Sequence, residues 1–194
     1  MVVSKKVGVL ALQGDFLEHI QVLERLNTEG LEVRQPGELE GLDGVIIPGG
    51  ESTAICCLLA EYALLEPLRK LAEEGLPIMG TCAGLILMAR KTTGLSLETL
   101  RLMDIEVKRN AFGRQVDSFE AELEIRALGD APFPAVFIRA PVIEKVGPGV
   151  EVLARLPEGG PVAVKQKNLL ACAFHPELSR DLRFHAYFLN MLSG

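Results

Sequence analysis

At 194 residues, with 48% hydrophobic and 24% charged residues, the chain has the size and composition of a single globular domain, expected to span 1–194. A net charge of −6 argues against nucleic acid or an anionic membrane as the main partner, and no apolar run is long enough for a bilayer span or a signal peptide. Cys56, Cys57, Cys82 and Cys172 show no C-x-x-C spacing, which favours free thiols and a cytoplasmic setting.

Residues 6–12 form an unbroken apolar run and read as a first strand covered on both faces. Gln13-Gly14 makes a turn, and a helix over 15–27 follows, with Phe16, Ile20, Leu23 and Leu26 at helical spacing. Strands are expected at 31–34 and at 44–47, the second ending in Pro48-Gly49-Gly50-Glu51-Ser52-Thr53. Helices at 53–60 and 64–74 precede a strand at 76–79, and Leu85 to Arg90 read as a further helical run. This alternation of strand and helix predicts an α/β fold: a three-layer, flavodoxin-like open sheet, mostly parallel, with helices on both faces. After Gly94 the segments 102–108, 118–126, 134–139, 142–146, 150–155, 161–166 and 169–174 are short and alternating. They read as hairpins and added antiparallel strands, closed by an amphipathic helix over 181–192.

Three stretches at expected strand ends carry chemistry, where open α/β sheets bind their ligands. Gly80-Thr81-Cys82-Ala83-Gly84 has the strand–turn–helix pattern of a nucleophile elbow, in which glycines avoid collision with neighbouring backbone. The following helix N-terminus favours a thiolate at Cys82. A buried structural cysteine is the competing reading. Phe174-His175-Pro176-Glu177 offers a base and a carboxylate two residues apart, so both side chains leave an extended segment on one side. A thiol nucleophile needs such a base, and the base needs an orienting carboxylate. His175 equally admits the reading of a core or loop histidine, which also suits His19 and His185. Gly49-Gly50 and the amide of Ala83 are candidate donors to an oxyanion, while Ser52 or Thr53 suits the N-cap of the next helix. A phosphate cradle at Pro48–Thr53 would lack the Walker A lysine and place Glu51 against the phosphate.

Assembled, these residues resemble the class I (triad-type) glutamine amidotransferases, and more narrowly the glutaminase subunits of pyridoxal 5′-phosphate synthase. The resemblance runs from the first strand to the last helix. It rests on Leu10 to Gly14 with Glu18-His19, on Pro48 to Thr53, on Gly80 to Leu85, and on Phe174 to Glu177. Arg109-Asn110-Ala111-Phe112-Gly113-Arg114-Gln115 and Phe137-Ile138-Arg139-Ala140-Pro141 are its more specific parts.

The resemblance implies that Cys82 attacks the side-chain amide of L-glutamine, with His175 as acid and base and Glu177 orienting it. Gly50, Glu51, Ser52, Arg109, Ile138 and Arg139 would contact glutamine, and Gly49, Gly50 and Ala83 would form the oxyanion hole. No cofactor and no metal are expected. With no part of the 194 residues left for a synthase, the ammonia would pass to a separate (β/α)8-barrel subunit. That subunit would combine it with ribose 5-phosphate and glyceraldehyde 3-phosphate. The free glutaminase would be weakly active, its oxyanion hole completed on docking through the Gln13-Gly14 turn and the first helix, Glu18 and His19 included. The alternatives are a class I glutaminase serving another acceptor, a flavodoxin-like cysteine hydrolase or chaperone, and a non-catalytic module of the same fold.

Overall fold

The computed structural model describes residues 5–109, 118–157 and 159–192. Its centre is a seven-stranded sheet in the order β10-β11-β12-β4-β3-β1-β2. The strands are β1 (Lys6–Leu10), β2 (Glu29–Val33), β3 (Gly44–Ile47), β4 (Ile78–Thr81), β10 (Glu151–Arg155), β11 (Pro161–Gln166) and β12 (Leu169–Cys172). From β12 through β2 all neighbours are parallel, whereas β10, β11 and β12 form an antiparallel meander. The helices are α1 (Phe16–Arg25), α2 (Ser52–Glu61), α3 (Leu65–Glu73), α4 (Ala83–Met88) and α5 (Arg183–Met191). β3, β4 and β12 are buried along their whole length, because helices cover the parallel sheet and leave no solvated face.

Two smaller sheets complete the molecule. β5 (Ala89–Thr93), β6 (Met103–Lys108) and β9 (Val142–Val146) form one, and the hairpin β7 (Ser118–Leu123) with β8 (Phe133–Ile138) forms the other. Most of the second half is antiparallel as the alternating pattern predicts, with two exceptions. β12 returns to pair with β4 in parallel, and β5 pairs with β6 in parallel. The expectation of a helical run through Arg90 also gives way: α4 ends at Met88 and the chain turns into β5. The segment 110–115 of the sequence motif lies outside the described residues.

The cap of α2 differs from expectation. Glu51, rather than Ser52 or Thr53, is the N-cap, and its carboxylate accepts from the N–H groups of Thr53 (3.1 Å) and Ala54 (2.7 Å). An acidic side chain at this position satisfies orphan amides and suits the positive end of the helix.

The elbow is built by close packing of α4 against the sheet. Gly84 lies so near β3 that a Cβ there would overlap the Ile47 carbonyl, and one on Gly80 would approach Gly84 backbone to 2.7 Å. Backbone cannot yield as a flexible side chain would, so Gly84→Ala is expected to cost about 3 kcal/mol. Urea unfolding of that variant measures it, and an unchanged midpoint would contradict this packing.

Beneath the sheet end, Phe174 packs between Phe133 (5.7 Å between ring centroids) and Phe184 (5.2 Å), fixing the backbone that leads into His175. Among the described residues no helix is long and apolar enough to cross a membrane, and all four cysteines are free.

Candidate active site

Parallel pairing of β4 with β12 sets Thr81 opposite Cys172, so the two strands end at the same level. Cys82 follows one strand and His175 the other. The chain is pinned at both points: Cys82 N–H donates to the Cys172 carbonyl (2.9 Å), and His175 N–H to the Val136 carbonyl on β8 (2.8 Å). Cys82 stands at φ +47, a conformation that costs an L-residue of order 1–3 kcal/mol and marks the sharp strand-to-helix turn. The residue is buried, and its thiol donates to the Ile138 carbonyl at 3.8 Å.

His175 Nδ1 meets Glu177 Oε1 at 2.6 Å, and the Glu177 side chain is fully buried. The 3₁₀ turn Pro176–Leu178 swings Glu177 back beneath the ring, so the His-x-Glu spacing works through a turn rather than through an extended strand. Burial opposes charge on His175, but hydrogen bonds with Asp15, Cys82 and Glu177 outweigh it and raise its proton affinity far above that of an ordinary imidazole. Burial also lifts the Glu177 carboxyl above its usual range, against the pull of His175.

Asp15 was not among the sequence-derived candidates. Its Oδ2 lies 3.4 Å from His175 Nδ1, on the side of the ring that Glu177 also occupies. An acidic residue directly after a Gln-Gly turn at the end of β1 was the available signal, and it reads equally well as a helix start. Asp15, His175 and Glu177 offer ligand atoms within 4.8 Å of one another, a spacing that could also hold a metal ion.

The remaining candidates other than Gly49 line one cleft of about 380 Å³ with Cys82, Ala83 and His175: Gly50, Glu51, Ser52, Arg109, Ile138 and Arg139. Gln13, Gly14, Asp15 and Ile86 complete its wall. Arg109 is held by Thr53 Oγ1 (2.8 Å) and by the Glu51 carboxylate. Burial works against the charge of Glu51, yet the amides of Ala54 and Thr53 keep its carboxyl below the usual range. Arg139, at φ +42, contributes a second guanidinium to the cleft.

Gly49 must be glycine because a Cβ would run into the His175 ring, and a Cβ on Gly14 (φ +99) would strike the Gly49 carbonyl. The Gln13-Gly14-Asp15 turn grips the Gly49–Glu51 loop twice. Asp15 N–H donates to the Gly49 carbonyl (3.1 Å), and Glu51 N–H donates to Gln13 Oε1 (2.7 Å). In a trans peptide the first of these bonds aims the Gly50 N–H away from the turn.

His19 is the core histidine that one reading of the sequence expects, and it is not part of a docking face. It is fully buried, with Nδ1 2.9 Å from His185 Nε2 and Nε2 3.2 Å from Thr81 Oγ1, so it offers nothing to a docking partner. Burial keeps both rings neutral: His19 falls well below the usual imidazole range and His185 falls to about 3. The unfolded chain takes up protons on these rings below pH ~6.5 that the folded chain refuses. The stability they permit is therefore complete above that pH and lost as pH falls towards 3. The unfolding constant should therefore rise as pH falls from 6.5 to 5. Urea midpoints across that window measure it, and a midpoint independent of pH would refute the assignment.

Comparison with known proteins places the family. Residues 9–193 match the model of the SNO glutamine amidotransferase family. A pyridoxal 5′-phosphate synthase subunit PdxT from Dehalococcoides mccartyi is 58% identical over 188 residues, 96% of each chain. One from Pelotomaculum thermopropionicum is 59% identical over 184 residues, 95% of this chain and 93% of that protein. A solved structure, described as a crystal structure of glutamine amidotransferase, superposes with a TM-score of 0.92 at 51% identity, covering 97% of this chain and 99% of its own. With a thiol elbow, a buried His–Glu pair and near full-length identity to these relatives, the chain belongs to the SNO glutamine amidotransferase family.

Proposed function

We propose that the chain is the glutaminase subunit of a pyridoxal 5′-phosphate synthase, a single cytoplasmic domain that hydrolyses L-glutamine and hands ammonia to a (β/α)8-barrel synthase subunit. The observation that carries the reading is one cleft holding Cys82, His175 and two arginines together, in a chain of the glutamine amidotransferase family. Four unpaired thiols suit a reducing compartment.

In this mechanism Cys82 Sγ attacks the glutamine side-chain carbonyl carbon and its proton passes to His175. The oxyanion faces the amide of Ala83, free to donate because Ala83 opens a helix, and the amide of Gly50 once the Gly49–Gly50 peptide is reset. His175 returns the proton to the leaving nitrogen, ammonia departs, and a thioester remains. Water then attacks the thioester while His175 takes its proton. Glutamate leaves and the thiol is restored. Glu177 holds the imidazolium that forms twice in each cycle. The guanidinium of Arg139, with Arg109, suits the planar α-carboxylate of glutamine, and the Glu51 carboxylate suits its α-ammonium. Gly50, Ser52 and Ile138 supply the remaining wall.

The double grip of Gln13–Asp15 on the Gly49–Glu51 loop makes that turn the control point. A synthase that docks on the turn, and on the exposed Leu17 and neighbouring Glu18 of α1, resets the Gly49–Gly50 peptide and completes the oxyanion hole. The test is glutamate release with and without the barrel subunit. Low activity alone, strong stimulation by the synthase and formation of pyridoxal 5′-phosphate from glutamine nitrogen are expected. Full activity of the free chain would overturn the switch. Absence of glutamate release under both conditions would overturn the glutaminase reading itself.

A further inference from the structure

Behind the Cys82, His175 and Glu177 cluster lies a buried chain of polar groups that the mechanism above does not use. Glu177 turns Oε1 to His175, while its second oxygen, Oε2, has no hydrogen bond of good geometry among the described residues. His19 Nε2 stands 3.3 Å from that oxygen. The same nitrogen is 3.2 Å from the hydroxyl of Thr81, the residue before Cys82. On its other side, His19 Nδ1 meets His185 Nε2 at 2.9 Å, and His185 Nδ1 is buried without a partner.

One proton arrangement satisfies this geometry at least cost. A bare lone pair at His185 Nδ1 leaves no N–H stranded, so the His185 proton sits on Nε2 and is donated to His19 Nδ1. His19 then carries its own proton on Nε2 and shares it between Thr81 Oγ1 and Glu177 Oε2. Both rings are neutral in this arrangement, in keeping with their burial. The groups that face His19 are His185 from α5, Glu177 and His175 from the loop after β12, and Thr81 from β4.

We propose that His19, oriented by His185, is a positioning residue for Glu177, and that its Nε2–H keeps the buried carboxylate ionised and aimed at His175 while tying it to the strand end that carries Cys82. A fully buried carboxylate with one oxygen lacking a hydrogen bond is costly, and a neutral N–H beside that oxygen lowers the cost without cancelling the charge that His175 needs. A lysine or arginine in the same place would compete with the imidazolium for that charge. Because α1 begins directly after the Gln13–Asp15 turn, the same helix that meets the control turn also supports the carboxylate.

This inference rests on the reading of Cys82, His175 and Glu177 as the catalytic set, and its test separates the two. Glutamate release by the full chain with its synthase is measured for wild type, His19→Leu and His19→Gln from pH 5.5 to 9. His19→Leu is expected to lower kcat about tenfold or more while KM for glutamine stays within about twofold. It should also move the acid limb of kcat/KM to higher pH, since Glu177 becomes harder to ionise. His19→Gln, which restores a donor at the Nε2 position, should recover most of kcat and the original limb. Nitrogen-15 NMR of the unaltered protein should show both rings neutral at pH 7 with the proton on Nε2, and this readout holds even where His19→Leu does not fold. Wild-type kcat in His19→Leu, a folded His19→Gln as impaired as the leucine variant, or a charged or Nδ1-protonated His19 would each overturn the proposal. Failure of the catalytic reading looks different: the wild type itself releases no glutamate, or Cys82→Ala leaves its rate unchanged.

Discussion

Replacing Cys82 by alanine is expected to reduce synthase-stimulated glutamate release by about 10⁴-fold or more while leaving the fold intact. The chemical loss is total because no other group reaches the substrate carbon with a lone pair of comparable reactivity. The other three cysteines stand elsewhere: Cys56 is buried with its thiol pushed up to about 11 by burial, Cys57 is exposed, and Cys172 is occupied by the Phe174 carbonyl. The structural loss is small. One sulfur disappears from a site at the cleft edge, and alanine is no worse than cysteine at φ +47. Glutamate release and a thermal melt on the same sample separate the two effects. Undiminished turnover would remove Cys82 from the mechanism. In the native protein, glutamine should protect Cys82 from alkylation, since the thiol and the proposed substrate share one cleft.

His175→Asn is the second large effect. General acid–base transfer contributes about 10²–10⁴-fold, and His175 performs it twice per turnover, so a loss near the upper end is expected. Asparagine keeps a polar group beside Glu177 Oε1 but cannot accept and return a proton. Glu177→Gln should fall less far, because the amide oxygen still accepts from Nδ1–H, while the charge is lost and the amide nitrogen takes the place of the oxygen that faces His19. Asp15 also contributes here: at 3.4 Å it leaves a second carboxylate near the ring. The ordering wild type, Glu177→Gln, His175→Asn, measured as kcat with saturating glutamine, is the expected result. A glutamine variant as inactive as the asparagine variant would show that Glu177 acts through more than orientation.

Much of the site was legible because its signals are local. The glycines around Cys82 are demanded by neighbouring backbone, and the Gly49-Gly50 pair by the His175 ring and the Gln13-Gly14 turn; in each case the demand shows in the sequence as a glycine. The His-x-Glu pair was legible as a pair, although the turn that joins His175 to Glu177 was not. Glu51 shows the opposite case. Its position before Ser52 and Thr53 made it look like a neighbour of the cap, yet its two accepted amide bonds make it the cap. Asp15 and His19 were missed for a shared reason. Each acquires its role from residues more than a hundred positions away, and helical spacing alone shows only that His19 lies on a face with Val22 and Leu23.

What the sequence alone determined about this protein is its alternation of strands and helices, the elbow at Gly80–Gly84 and the chemical kinds present at the strand ends. These follow from hydrophobic period, turn chemistry and the steric limits of glycine, all of which act within a few residues. Only the tertiary structure decided that β12 returns to lie parallel beside β4, which brings His175 level with Cys82. Only it closed the cleft with Arg109 and Arg139, and decided between the core and docking-face readings of His19 by burying it beside Glu177. Pairing across long chain separations depends on how whole layers pack, and no short stretch of sequence contains that information.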